Sequence, residues 1–229
     1  MDADLDVAAV AALVGDPTRA RMLTALMDGR ARTAKELAYG ADVTPQTASS
    51  HLAKLVRARL LSMERQSRYR YFRLAAPAVG YAVEALMAVS PARPRGARPE
   101  GPLYGLRLAR TCYDHLAGRL GVMVTEAMVR RRFLKPVGRE FLLTAPGGRF
   151  LSRLGVDVGK ARRSRRAFAR QCLDWSERRA HLAGSLGAAV ARCCLDLRWV
   201  HLVGEERILA LTPHGLRGLR TWFGINWKR

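Results

Sequence analysis

Acidic residues are scarce in this chain: 19 Asp and Glu stand against 40 Lys and Arg, for a formal net charge of +21 over 229 residues. Such a balance favours a polyanionic partner. Nucleic acid suits it better than a membrane surface, because no basic amphipathic stretch carries an aromatic apolar face. Cysteine is sparse too. Cys112, Cys172, Cys193 and Cys194 make neither a CxxC nor a disulfide framework, so a reducing compartment, the cytoplasm, is expected. No apolar run approaches the roughly 18 residues that would suggest a membrane span. The opening MDADLDVAAVAALVGD begins with acid where a secretory signal would carry base, so none is expected. GxGxxG, P-loop, GxSxG and HExxH patterns are all missing, and Ala145-Pro146-Gly147-Gly148 is too short to cradle phosphate. The expectation is a protein that is not an enzyme. Asp174-Trp175-Ser176-Glu177-Arg178-Arg179 is polar and aromatic enough to line a small pocket, so a catalytic C-terminal half stays as an alternative from another class.

What is present is concentrated between Thr33 and Leu74. Thr33 with Glu36 three residues later makes a capping box, and the helix it opens is expected to stop at Gly40 as a left-handed C-cap. Asp42 and Val43 turn the chain. Thr44 caps a second helix with Pro45 at its first position. Ala48, Leu52 and Leu55 recur at helical spacing and form its buried face. Gln46, Thr47, Ser49, Ser50 and His51 are left on the outer face near the N-terminus, where short polar side chains suit insertion into a major groove. A basic hairpin follows, out through Met63-Glu64-Arg65 and back through Arg68-Tyr69-Arg70-Tyr71-Phe72-Arg73-Leu74. From Thr44 to Leu74 there are seven basic residues against one acidic, whereas Met1 to Val43 holds five against seven. Positive charge gathered on a reading helix and its hairpin is what phosphate contact through counterion release requires.

These residues resemble the winged helix-turn-helix of the ArsR/SmtB family of dimeric bacterial repressors. The resemblance covers roughly residues 5–90. It rests on Asp16-Pro17-Thr18-Arg19 with Leu23 and Leu26, Lys35-Glu36-Leu37-Ala38, Thr47 through His51-Leu52, Leu60-Leu61, and Ser67-Arg68 with Tyr71-Phe72-Arg73-Leu74. It implies a homodimer on double-stranded DNA, with two reading helices about one duplex turn apart over an inverted repeat. Thr44, Gln46, Thr47, Ser49, Ser50 and His51 would face bases or nearby phosphates, and Lys54, Arg68 and Arg70 the backbone. A winged helix used only for protein contacts, or an architectural DNA binder without strong sequence preference, are the competing readings. The family's usual sensing ligands do not carry over: residues 33–41 contain no Cys, and residues 78–89 contain no His or Cys.

Along the chain, Asp6 caps a first helix from Val7 to Val14, and Asp16-Pro17 opens the next, with Met22, Leu23, Leu26 and Met27 inward. After Pro77 comes a helix striped by Val79, Ala82, Val83, Leu86 and Met87, which pairs subunits if the resemblance holds and packs on its own domain otherwise. The fold expected is mainly α with small β-hairpin wings. Residues 1–90 form the DNA-binding domain, 91–102 a Pro/Arg linker, and 103–229 a basic C-terminal domain, possibly winged-helix-like and duplicated.

The duplication is read from two matching frames. Cys112-Tyr-Asp114-His115-Leu-Ala-Gly118-Arg-Leu-Gly121 returns as Cys172-Leu-Asp174 followed by His181-Leu-Ala-Gly184-Ser-Leu-Gly187, and Leu143-Thr144 with Gly147 returns as Leu211-Thr212 with Gly215. The offsets are 60 for the cysteines, 66 for the histidines and 68 for the threonines, so the halves span about 103–158 and 167–227. Each is expected to carry HLAGxLG on a helix, then a strand ending in Leu-Thr and a Thr-capped helix. On that helix Cys112 and His115 share a face. Cys112, Asp114, His115, Cys172, Asp174 and His181 together could hold a zinc-like metal or another effector; small core cysteines and packing histidines are the plainer reading. Cys193-Cys194 reads as two core thiols rather than a redox switch. Leu103 to Arg229 holds 25 basic residues against nine acidic. Its dense runs, Arg130-Arg131-Arg132 and Lys160 to Arg166, are either a second DNA contact or a solvated face.

Overall fold

The computed structural model describes residues 6–66, 69–91, 102–203 and 207–228. The chain divides into two compact units: the first runs to Glu84 and takes in Pro99–Leu103, and the second comprises Ala85–Arg98 and the chain from Tyr104 onward. The linker expected at 91–102 lies almost wholly outside the described residues.

In the first unit Asp6 accepts from the Ala9 amide and opens α1 (Val7–Val14), and Asp16 accepts from the Arg19 amide to open α2 (Pro17–Ala25). A short strand, β1 (Arg32–Thr33), runs into α3 (Ala34–Ala41), whose capping box of Thr33 and Glu36 is complete. The left-handed cap falls on Asp42, at φ 57, and not on Gly40, which stays inside the helix. A short polar side chain tolerates that conformation at the cost expected of Asp or Asn. α4 (Pro45–Arg57) opens on Thr44, buries Ala48, Leu52 and Leu55, and ends near Lys54 and Arg57, which complement its negative end. The wing is β2 (Leu61–Gln66) against β3 (Tyr69–Leu74), in register from Leu61–Leu74 to Gln66–Tyr69, with β1 on the other edge of β3. Met22, Leu23, Leu26, Met27, Leu37, Leu52, Leu55, Leu61 and Phe72 fill the core. In α5 (Pro77–Val89) only Gly80, Val83 and Glu84 are buried, so the expected stripe is covered in part and Leu86 stays exposed.

The second unit departs from the mainly-α expectation and is mixed. After α6 (Pro102–Leu108) come β4 (Arg110–Cys112), β5 (His115–Ala117), α7 (Gly118–Arg130), β6 (Leu134–Val137), β7 (Glu140–Leu143), α8 (Ala145–Leu154) and α9 (Val158–Arg162). The order then repeats as β8 (Arg170–Leu173), β9 (Ala180–Ala183), α10 (Gly184–Asp196), β10 (Val200–Leu202), β11 (Leu209–Leu211) and α11 (Pro213–Gly218), closed by a π-helical turn at Leu219–Phe223. HLA is strand in both halves, not helix. The reason lies in Gly118 and Gly184, which sit at φ +70 and +78 with their α-carbons against backbone carbonyls. An extended strand there turns abruptly into a helix, and a side chain would obstruct both the conformation and the contact. The expected strand ending in Leu-Thr and the Thr-capped helix after it are present twice, at Thr144 and Thr212.

The two halves exchange equivalent contacts. The Phe141 amide donates to the Ala169 carbonyl at 2.8 Å, and the Leu209 amide to the Ala109 carbonyl at 2.9 Å. The Gln171 amide meets the Arg139 carbonyl as the Thr111 amide meets that of Arg207, at 3.0 and 2.8 Å. The hairpin β6–β7 of the first half thus joins β8–β9 of the second in one four-stranded sheet, while β10–β11 bridges back to β4 at Arg110–Ile208. Leu116, Leu120 and Val124 of α7 and its leading strand share a core with Leu182, Leu186 and Val190 of α10 and its own. Cys193 and Cys194 belong to that core, as two buried thiols.

The second glycine of each frame is also a contact. A Cβ on Gly187 would lie 2.4 Å from the Leu182 carbonyl oxygen and 3.2 Å from the His115 Cβ, whereas one on Gly148 would meet nothing within 4 Å. Gly187→Ala is therefore expected to destabilise the C-terminal unit by about 1–3 kcal/mol. Gly148→Ala should be stabilising by about 0.4–1 kcal/mol. Urea unfolding of both variants checks the contrast.

Candidate functional site

Two groups of side chains stand out, one in each unit. On α4 the first turns project Gln46, Thr47, Ser49 and Ser50 outward, all exposed, with Lys54 exposed further along. Thr44 is committed to capping: its hydroxyl accepts from the Thr47 amide at 3.2 Å and lies 2.9 Å from the Thr47 hydroxyl. His51 is half-buried, with Nδ1 3.4 Å from an Arg19 guanidinium nitrogen and 3.6 Å from Asp16 Oδ1, so it also braces the start of α2. Arg70 is exposed on β3. Arg68 lies outside the described residues.

The second group is built from the two repeats. Cys112 and His115 are not helical neighbours. They are directly opposed partners in the β4–β5 hairpin, joined through Tyr113, at φ 61, and Asp114. Cys172 and His181 are opposed in the same way on β8–β9. Directly opposed residues of an antiparallel pair project from the same face, so each hairpin offers one thiol and one imidazole side by side. The halves bring these faces together. Ligand atoms of Cys112, His115, Cys172 and His181 all lie within 4.8 Å of one another, and the two Nε2 atoms are 3.1 Å apart. His115 and His181 are buried, and the cysteines nearly so.

Asp114 and Asp174, expected among the ligands, stand one step behind instead. His181 Nδ1 lies 3.2 Å from Asp174 Oδ2, and His115 Nδ1 3.5 Å from Asp114 Oδ1. These are close charge contacts and not aligned hydrogen bonds, since neither Nδ1 has a hydrogen-bond partner. Each carboxylate is held by an arginine distant in the sequence. Arg110 donates to Asp174 Oδ2 at 3.0 Å and to the Leu106 carbonyl at 2.9 Å, with its guanidinium 4.8 Å above the Trp175 ring. Arg166 grips both oxygens of Asp114. Asp174 further accepts from the Gly118 amide at 2.7 Å, and from the amides of Ser176 and Glu177.

This environment sets the charges. Burial works to raise the Asp174 carboxyl, but His181, Arg110 and Ser176 beside it hold it well below the usual carboxylate range. Asp114 is lowered likewise, against burial, by Arg166 and then His115. Burial opposes the charged form of His181, yet Asp174 and Cys112 raise it above the ordinary imidazole value. The adjoining Cys172 thiol and burial push the Cys112 thiol up to about 11. By contrast Cys194 is pushed up to about 12, by burial first and then by Cys193, as befits an inert core thiol.

Arg110 and Arg166 are the site residues that a reading of the chain misses. Their only signal is that the aspartate, two residues after the cysteine, is repeated too. Arg166 lies inside a run that looks like a phosphate-binding patch. Other members of the basic runs are also engaged within the unit: Arg131 is stacked over Phe133 and Phe150, and Arg162 is 4.4 Å from the Phe168 ring.

Comparison with known proteins places the first unit. Residues 14–64 match the family described as "Helix-turn-helix domain". The chain is 42% identical over 211 residues to an uncharacterized HTH-type transcriptional regulator, YdfF, of Bacillus subtilis (strain 168), which spans 92% of this chain and 93% of that protein. Among solved structures, the homodimeric winged helix-turn-helix domain of a possible ArsR-family regulator from Mycobacterium bovis is 23% identical over 39% of this chain and 89% of its own, with a TM-score of 0.34. The cadmium sensor CMTR from Mycobacterium tuberculosis is 27% identical over 40% of this chain and 99% of its own, with a TM-score of 0.32. No helix of the described residues is long and apolar enough to cross a membrane.

Removing the Asp174 carboxylate takes from Arg110, 1% exposed, a buried ion pair at 3.0 Å. Asp174→Ala is expected to cost the C-terminal unit about 3–5 kcal/mol. Guanidinium unfolding followed by Trp fluorescence measures it; a loss under about 1 kcal/mol, the range of a surface pair, would contradict the burial argument.

Proposed function

The chain belongs to the helix-turn-helix transcriptional regulators of the ArsR family, and from that premise we propose that it is a homodimeric, sequence-specific DNA-binding repressor whose C-terminal unit receives the signal. The observation that carries the DNA-reading part is the polar, exposed start of α4. Gln46, Thr47, Ser49 and Ser50 face outward from a helix whose opposite side is wholly apolar and buried. Side chains of this size and hydrogen-bonding capacity read base edges. Lys54 and the wing arginines, Arg70 and Arg68, supply backbone contacts that position the helix. Thr44 and His51 serve the same face from behind, the one as cap and the other as a brace to α2.

Support for the homodimer comes from α1. Its sequence, VAAVAALV, is apolar throughout, and none of its residues is buried in the single chain. Val7 is 73% exposed and Val10 43%. A second copy is the occupant that satisfies such a helix. Two reading helices related by a two-fold axis would favour an inverted repeat.

The signal-receiving role of the C-terminal unit is supported by its polar, cross-half Cys/His cluster, which a purely structural core has no need to bury. The two halves themselves are read as copies of one ancestral winged-helix-like element: a helix, a hairpin and a Thr-capped helix occur twice in the same order.

Genomic fragments retained by the protein define the operator. On it, Gln46→Ala is expected to relax sequence preference, narrowing the gap between operator and random DNA by about 1–3 kcal/mol. Arg70→Ala should weaken all sequences alike and reduce the salt slope by about one unit. Equal affinity of the native chain for operator and random DNA would instead favour an architectural binder.

A further inference from the structure

The two histidines meet at hydrogen-bond distance, with their Nε2 atoms 3.1 Å apart. Each ring has a carboxylate beside Nδ1, at 3.2 Å for His181 and 3.5 Å for His115. A carboxylate there favours the tautomer with its proton on Nδ1. In that tautomer both Nε2 atoms offer a lone pair to the space between them, where a shared proton or a cation can sit. Two further electron-pair donors, the sulfurs of Cys112 and Cys172, complete the ring of neighbours. A cation at the centre engages all four donors at once.

We propose that Cys112 Sγ, Cys172 Sγ, His115 Nε2 and His181 Nε2 bind one divalent ion of the zinc class, clamping the two halves of the C-terminal unit together. The dimensions fit. Zn–N bonds of about 2.0–2.1 Å at a tetrahedral angle put two nitrogens about 3.3 Å apart, and Zn–S bonds of about 2.3 Å put two sulfurs about 3.8 Å apart. The Nε2 atoms stand at 3.1 Å, and every ligand atom lies within 4.8 Å of the others. Thiolate with imidazole selects a borderline-soft ion and rejects magnesium and calcium, which take oxygen. On binding, the Cys112 and Cys172 thiols release their protons to solvent. Two thiolates then balance the dication, so the buried centre is neutral, as a low-dielectric site demands. Four protein ligands leave no open position, which marks a clamp and not a hydrolytic centre. Asp114 and Asp174 orient the rings, and Arg166 and Arg110 orient the carboxylates.

The ligands come in pairs from separate halves, so the ion acts on how those halves meet. Its regulatory consequence rests on the reading of the C-terminal unit as the signal receiver; the site itself does not. The test uses the full chain, stripped with a chelator and titrated with cobalt(II) as a spectroscopic probe. One equivalent per chain is expected, with the visible bands of tetrahedral cobalt and a thiolate-to-cobalt band in the near ultraviolet. Cys112→Ser and Cys172→Ser should each diminish the thiolate band, and Cys193→Ser should leave it intact. Asp114→Asn, a partly exposed change, should weaken cobalt by roughly 10–100-fold with the circular dichroism unchanged. A stripped chain that takes up no cobalt, or a folded Asp114→Asn or Cys112→Ser chain with undiminished affinity, overturns the site. Operator affinity is then compared between stripped and zinc-loaded protein. A change of tenfold or more supports regulation through the clamp; tetrahedral cobalt with unchanged operator affinity keeps the site and overturns the signal-receiving reading.

Discussion

Two imidazole nitrogens facing each other at 3.1 Å in a buried pocket, each ring backed by a carboxylate, are the constraint around which the C-terminal unit is arranged. The histidines arrive from different halves, and each is seated by the other half's glycine: the site of a Cβ on Gly121 is 3.6 Å from the His181 Cβ, and that on Gly187 is 3.2 Å from the His115 Cβ. A side chain at either position would first meet a backbone carbonyl, that of Leu116 at 2.3 Å or of Leu182 at 2.4 Å. The carboxylates behind them are fixed by Arg110 and Arg166, far from them in the sequence. Burying Arg110 and Asp174 costs desolvation that a well-packed apolar pair would avoid. A requirement for fixed ring orientation accounts for keeping them.

The same reciprocity runs through the backbone. Each half lends its second hairpin to the first hairpin of the other, through equivalent amide-to-carbonyl bonds. A unit assembled in this way has its ligands at the meeting line of two similar bodies, where a change in their separation is felt by every strand. The winged unit meets a different demand. It places polar groups on one face of α4 and apolar ones on the other, and it leaves α1 uncovered. Charge is apportioned accordingly. On the wing Arg65, Arg70 and Arg73 are exposed, whereas in the C-terminal unit Arg110, Arg131, Arg162 and Arg166 are drawn into stacking and ion pairing with their own chain.

Much of this was legible in the residues, and the exceptions share a cause. The caps at Asp6, Asp16, Thr33, Thr44, Thr144 and Thr212 are local hydrogen bonds between near neighbours, so they can be read from a few letters. The apolar spacing of α4 is equally local. The clustered residues Cys112, His115, Cys172 and His181 are visible through their repetition, but their geometry is not. A spacing of three looks helical, and only the positive φ of Tyr113 turns it into a two-residue hairpin turn. Gly40 looked like the natural C-cap, yet Asp42 took the left-handed position. Arg110 with Asp174, and Arg166 with Asp114, are separated by 64 and 52 residues, and nothing in the local pattern of either arginine announces its partner. The strands of HLA were hidden because a helix-forming stretch follows them at once, and the break depends on a glycine conformation.

The central claim is that the repeats converge to hold a metal ion within a DNA-binding regulator. X-ray absorption of the zinc-loaded full chain tests it most directly. Two sulfur ligands at about 2.3 Å and two nitrogen ligands at about 2.0–2.1 Å, with four-coordinate geometry, are the result the account predicts. A shell of oxygen and nitrogen alone, or a six-coordinate one, would contradict it.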